Sequence, residues 1–101
     1  MLVALPVEES QGGEIKPLSS FKGAPLIALL VPEGEGVKVN VYQNPASSGS
    51  ELAQLLLSFG VKKLVYPKVS SKEMLAFQAL GLEVITREFS SLEEAIYGLF
   101  G

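Results

Sequence analysis

The sequence predicts a single α/β domain, a mixed five-stranded sheet with three helices in the order β-β-β-α-β-α-β-α. Three observations carry that prediction. The apolar residues of the first half fall in short strand-like runs, and those of the second half recur at helical spacing. Three Ser-x-x-Glu strings each precede a helical stretch that closes at a glycine. At 101 residues and 48% hydrophobic content, the chain holds enough apolar surface for one core and too little for two.

Leu2 to Val7 is a mixed apolar run and reads as the first strand, and the polar stretch Glu8 to Glu14, with Gly12-Gly13, reads as a loop. Ile15 to Gly23, punctuated by Pro17 and two serines, reads as irregular. Leu26 to Val31 is wholly apolar and β-rich, which places it in the middle of a sheet with both faces covered. Pro32 to Gly36 reads as a turn in which Gly34 and Gly36 can take positive φ. Val37 to Tyr42 alternates, with Val37, Val39 and Val41 on one face and Lys38, Asn40 and Tyr42 on the other, so it pairs as a half-exposed hairpin partner.

Glu51 to Phe59 carries Leu52, Leu55, Leu56 and Phe59 at helical spacing. Lys63 to Tyr66 is a short strand, Lys72 to Leu80 a second helix, and Leu82 to Thr86 a further strand. Leu92 to Phe100 carries an apolar stripe of Leu92, Ala95, Ile96, Leu99 and Phe100. The pairs Ser48 with Glu51, Ser70 with Glu73 and Ser90 with Glu93 read as capping boxes. Gly60, Gly81, and Gly98 or Gly101 read as the helix stops.

The composition excludes more chemistry than it supplies. The chain has no cysteine, no histidine and no aspartate, and all 11 acidic residues are glutamate. A thiolate nucleophile, an imidazole base, a Ser-His-Asp grouping and a thiolate or imidazole metal ligand are therefore excluded. A net charge of −3 and a pI near 4.9 argue against nucleic-acid binding. No apolar run approaches the roughly 20 residues that span a bilayer. Met1 to Ala4 lacks a basic segment and a cleavage site, so no signal peptide is expected. The absence of cysteine fits a cytoplasmic location.

Several strings, in order, resemble the dinitrogenase iron–molybdenum cofactor biosynthesis family, whose small NifX-like and NifB C-terminal-like domains have a ribonuclease-H-like fold. Met1 to Val7 is similar to the family's opening strand, and Gly13-Glu14-Ile15 with Phe21 and Ala24-Pro25 to its "G-x-(I/V)-S-x-H-F-G-x-A" segment. Asn44-Pro45-Ala46, Gly60 to Val65, Ala79 to Val84 and Leu92 to Ile96 are similar to the family's "N-P", "G-V-D-x-V-I", "A-G-I-x-V" and "(V/L)-E-E-A-(I/L)" strings. The resemblance covers nearly the whole chain and implies a small non-enzymatic accessory protein of the binding or carrier type. The departures fall where the family's suspected cluster ligands lie. Ser20 stands in the histidine position, Lys22 in that of a glycine, Ala46 to Ser50 in a His/Gly-rich stretch, and Pro67 to Ser70 in a "G-G-x-G". A scaffold without the side-chain ligands is implied, and with it no resident cofactor.

Three candidate sites follow. The first is an anion pocket where two helix N-termini and their lysines would converge, at Ser48, Gly49, Ser50, Lys68, Ser70, Ser71 and Lys72. The serines serve equally well as plain caps and the lysines as solvated charges. The second is the loop Ser20, Phe21, Lys22, whose aromatic either contacts a ligand or plugs the core. The third is two-metal carboxylate chemistry around Glu8 and Glu9, against which stand the missing aspartates and the glutamates used in caps and turns. Tyr42, Tyr66 and Arg87 carry no motif, and Gly12-Gly13 lacks the sequel of a phosphate loop. The expected function is thus an accessory or binding protein without enzymatic activity, its partner a second copy of itself or a larger metallocofactor-assembly protein, with no nucleic acid and no membrane. The alternatives are an interaction module, suggested by an exposed patch on the apolar run Ala24 to Val31, and a small-anion binder.

Overall fold

Four strands precede the first helix, and helices and strands then alternate: β1 (Val3–Glu9), β2 (Ile15–Pro17), β3 (Leu26–Glu33), β4 (Gly36–Gln43), α1 (Gly49–Ser58), β5 (Lys63–Val65), α2 (Ser71–Ala79), β6 (Glu83–Ile85) and α3 (Leu92–Phe100). The computed structural model describes all residues, Met1–Gly101. The sheet runs β4-β3-β1-β5-β6, with β2 paired to β1 off this path. β3 is antiparallel to β1 and to β4, while β5 and β6 are parallel to β1 and to each other. Hence β1, β4, β5 and β6 point one way, and their carboxyl ends share one edge of the sheet. The Cα radius of gyration, 12.6 Å, is that of one compact domain, for which about 13 Å is expected at this length.

The sheet has one strand more than the sequence predicts. Ile15–Pro17, read as irregular, pairs antiparallel with Val7–Glu9. Glu8 and Glu9, read as loop, therefore belong to β1. β5 pairs with only Val3 and Ala4, and Val7 faces both Leu26 of β3 and Pro17 of β2. β2 thus continues the flank of β1 that β5 leaves open, an edge position that tolerates Pro17. The β3–β4 hairpin is also tighter than expected. Glu33 pairs with Gly36, so the turn is Gly34-Glu35, and only Gly34 takes positive φ.

The run Leu26 to Val31 lies inside the sheet as predicted, and Ile27 to Leu30 are buried. The same fact removes the expected exposed patch, since one face of β3 packs against α1 and α2 and the other against α3. One core layer joins Ala4, Ile27 and Leu29 to Leu52 and Leu56 of α1 and Phe77 of α2. The other joins Val3, Leu5, Val7, Ala28 and Leu30 to Ala95 of α3 and to Phe89. No helix is long and apolar enough to cross a membrane.

The helix starts follow the serine signals, with one shift. Ser48 accepts from Glu51 N–H to cap α1, and Ser70 with Glu73 forms a reciprocal capping box on α2. The cap of α3 is Ser91, which accepts from Glu94 N–H at 3.0 Å, one residue beyond the predicted Ser90 and Glu93. Ser90 instead donates its hydroxyl to the Glu94 carboxylate at 2.6 Å. Both serines fit the Ser-x-x-Glu spacing because Glu93 and Glu94 are adjacent, so sequence spacing alone does not separate them. Ser91→Ala should therefore cost about 1 kcal/mol and Ser90→Ala only a few tenths, measured by urea unfolding. Equal losses at the two positions would contradict the assigned cap.

The helix stops sit where glycine allows them. Gly60 and Gly81 have φ of +79° and +82°, a conformation costly for any residue with a Cβ. After α1, Gly60 N–H bonds Leu57 C=O and Val61 N–H bonds Leu56 C=O. After α2, Gly81 and Leu82 repeat the pattern on Gln78 and Phe77. Each is a Schellman stop whose apolar pair, Val61 on Leu56 or Leu82 on Phe77, is buried in the core. At α3 the closing glycine is Gly101, and Gly98 lies inside the helix.

Candidate functional site

At the shared carboxyl edge, β4 leads into α1 and β5 leads into α2, so two helix N-termini meet there. The Ser19–Gly23 segment, returning from β2, closes over them. Lys68 N–H donates to Ser19 C=O at 2.8 Å and ties this segment to the start of α2. Asn44 ties it to the start of α1: its side-chain amide donates to Ala24 C=O at 3.0 Å and Phe21 C=O at 3.4 Å, and its Oδ1 accepts from Ala46 N–H. The result is a pocket of about 570 Å³. That volume lies within the range of small-molecule sites.

The predicted residues divide cleanly. Ser20, Phe21 and Lys22 from the loop, Ser48 and Gly49 from α1, and Lys68 and Ser70 from the start of α2 all line this pocket. Ser50 and Ser71 line two other, shallower grooves, and Lys72 lines neither those grooves nor the pocket. Phe21 plugs the core. It is 3% exposed and meets the Tyr66 ring edge-on at 5.3 Å between centroids. Gly12-Gly13 lies in a strand-to-strand turn, and no grouping of three or more carboxylates could hold a metal ion.

Sequence reasoning missed Asn44, Tyr66 and Glu73 as pocket residues. Tyr66 is buried at the end of β5 and donates its hydroxyl to Glu73 Oε2 at 2.7 Å. Glu73 Oε1 accepts from Ser70 N–H at 3.1 Å, completing the capping box. Ser20 donates to the Tyr66 oxygen at 3.4 Å and accepts from Lys22 N–H at 3.0 Å. A Cβ built on Gly49 would meet Glu73 Cγ at 3.5 Å and Oε2 at 3.6 Å, so the carboxylate lies against the start of α1 as well. A capping glutamate seven residues beyond a strand-end tyrosine is the one sequence signal that could have pointed here.

The electrostatics follow from these contacts. Burial pushes the Tyr66 hydroxyl above its ordinary pKa, and the neighbouring Glu73 charge adds to that effect. Burial pulls Glu73 upward too, but the Tyr66 and Ser70 hydrogen bonds and the nearby Lys22 outweigh it and hold the carboxyl below its ordinary value. Glu73 is therefore a fixed anion that answers the start of α2. The Gly49 and Ser50 N–H groups at the start of α1 have no acceptor within the protein. With exposed Lys22 and Lys68 across the opening, the pocket keeps a surplus of donors and positive charge.

No protein-family model matches this chain, and no curated protein matches it by sequence. The fold does have solved counterparts. The crystal structure of PH0822 superposes with a TM-score of 0.79 at 23% identity, covering 95% of this chain and 85% of that one. The NMR structure of the Thermotoga protein TM1290, described provisionally as a NifB protein of the DUF35 family, superposes with a TM-score of 0.69 at 24% identity, covering 96% of this chain and 84% of that one. At these identities the likeness is one of fold.

Proposed function

We propose that this protein is a non-enzymatic binding or carrier-type accessory protein that holds a compact anionic ligand, a phosphate ester or carboxylate, between the starts of α1 and α2. The observation that carries the reading is the convergence of Lys22, Lys68, Ser48 and the free Gly49 N–H on one pocket. The absence of a catalytic step is supported by the Ser20–Tyr66–Glu73 chain itself. Tyr66 has a raised pKa and directs its O–H at Glu73, so it keeps its proton and leaves Ser20 with nothing to activate it.

The finer lineage belongs to the same proposal. The likeness of fold to TM1290 and the ordered strings of the sequence are consistent with a divergent NifX-like domain of ribonuclease-H-like topology, cytoplasmic and working beside a larger metallocofactor-assembly protein. Such a member has Ser20 in place of the expected histidine, so a cluster brought to it as cargo would rely on backbone groups, glutamates or the partner's ligands.

The test is thermal unfolding with inorganic phosphate and with a sugar phosphate. At about tenfold excess over the dissociation constant, binding to the folded state alone contributes about 1.4 kcal/mol, a rise in Tm of roughly 6–11 °C. Lys22→Ala with Lys68→Ala should abolish the rise, and Lys72→Ala should leave it intact. A wild-type protein indifferent to both probes, or a double variant that responds as wild type does, overturns the anion reading. A stoichiometric coloured cluster formed anaerobically from iron and sulfide on the isolated chain would overturn the claim of lost ligands.

A further inference from the structure

β4 is the outermost strand of the sheet, and its free edge carries few of the usual protections against pairing. It keeps unbroken register with β3 over all eight residues, so it has no bulge. It contains no proline and a single charge, Lys38, which forms no ion pair. The opposite edge strand, β6, is only three residues long. Val41 and Tyr42 of β4 are 39% and 41% exposed, one face of the Tyr42 ring being stacked on Phe59 at 5.2 Å between centroids.

The hydrogen-bond phase shows what this edge offers. Asn44 N–H bonds Pro25 C=O at 3.0 Å, which makes those residues a hydrogen-bonded pair continuing the β3–β4 ladder. Such pairs alternate along an antiparallel ladder, so Tyr42, Asn40, Lys38 and Gly36 direct their backbone groups to β3. The N–H and C=O groups of Val37, Val39, Val41 and Gln43 then point outward from the sheet. No element pairs with them.

We infer that β4 pairs antiparallel with β4 of a second copy of this chain, making one continuous sheet across a two-fold axis at Asn40. The strand is complementary to itself in this register, and that selects a second copy as the occupant. Val39 falls opposite Val41 of the second copy and Val37 opposite Gln43, and each of these pairs exchanges two hydrogen bonds between outward-facing groups. On that face the valines of one copy abut those of the other, covering Val41. On the other face Lys38 lies beside Tyr42 of the second copy, a cation–aromatic pair repeated by symmetry, and the two Asn40 amides meet at the axis. No like charges are directly opposed. The pairing is independent of the pocket at the carboxyl edge.

The chain has no cysteine, so a single introduced thiol reads out the register. Residues facing across a non-hydrogen-bonded pair have Cα atoms about 4.5 Å apart, within the range a disulfide spans. Asn40→Cys should therefore cross-link to a covalent dimer under mild oxidation, and Lys38→Cys should not. Sedimentation of the wild-type protein across a concentration series should show reversible doubling of the 10.8 kDa mass. Val41→Lys, which places a second charge on the edge without touching the β3 ladder, should raise the dimer dissociation constant at least about tenfold while circular dichroism stays unchanged. A wild-type protein that is monomeric at every concentration overturns the inference, as does cross-linking of Lys38→Cys equal to that of Asn40→Cys.

Discussion

Phe77→Ala is expected to destabilise the protein by about 3–5 kcal/mol, the usual cost of emptying a buried aromatic site, and to lower Tm by at least roughly 12 °C. Phe77 is the one fully buried side chain of α2. It stands 6.1 Å from the Tyr66 ring, centre to centre, and shares its core layer with Leu64, Leu56 and Leu82. Its carbonyl accepts from Leu80 and Leu82 N–H at the helix stop, so the same residue anchors the helix and its exit. The neighbouring apolar residues cannot take over, because Met74 is only half-buried, and Leu75 and the C-cap residue Leu80 are 69% and 44% exposed. Leu75→Ala should accordingly stay within about 0.5 kcal/mol of wild type. Since α2 carries Ser70 and Glu73, Phe77→Ala should also weaken any phosphate response before global unfolding. Guanidinium unfolding of the two variants checks the prediction, and comparable losses would contradict the assigned anchor.

Tyr66→Phe should cost about 1–2 kcal/mol at neutral pH, a figure at the lower end for a hydrogen bond to a charged group because Glu73 is partly open to solvent. The phenyl ring keeps the contacts with Phe21 and Phe77, so the loss isolates the hydroxyl. The pH dependence has a defined sign. The folded-state pKa of Glu73 lies below its unfolded value, so its contribution is present above the unfolded pKa, near 4.5, and is lost as pH falls through the lower folded value. Without the Tyr66 donor the folded pKa of Glu73 moves back towards the unfolded one, so the loss of stability in acid becomes smaller. The difference between wild type and Tyr66→Phe should shrink in acid, where the carboxyl is neutral in both. A difference independent of pH would mean that the hydroxyl acts through packing and not through Glu73.

Much of the fold was legible in the residues. The three helices fall within two residues of their expected limits because a serine cap, an apolar stripe and a glycine stop agree at each. The interior place of Leu26 to Val31 follows from an unbroken apolar run, which only two covered faces can accommodate. β2 was not legible, because three residues containing a proline have no period of their own. They form a strand because β1 outlasts β5 and leaves a flank to be paired. The shift from Ser90 to Ser91 was hidden by two adjacent glutamates, either of which fits the spacing.

The candidate site divides along the same line. Local chemistry, written in consecutive residues, marked Ser48, Ser70, Lys68 and the Ser20–Lys22 loop, and chain order implied that α1 and α2 would start at one sheet edge. Tyr66 and Glu73 are joined only when β5 and α2 fold against each other, and Lys72, one position from Glu73, is turned out of the pocket by the helical rotation of about 100° per residue. The sequence by itself determined the α/β class, the helix limits, the buried central strand and the absence of thiol, imidazole and aspartate chemistry. Only the tertiary structure decided which of the marked residues share a cavity, that Glu73 already neutralises one helix start, and that β4 is left with a free edge. The reason is physical: capping and periodicity act between residues three or four apart, whereas the distances that make a pocket or a strand partner are set between residues remote in the chain.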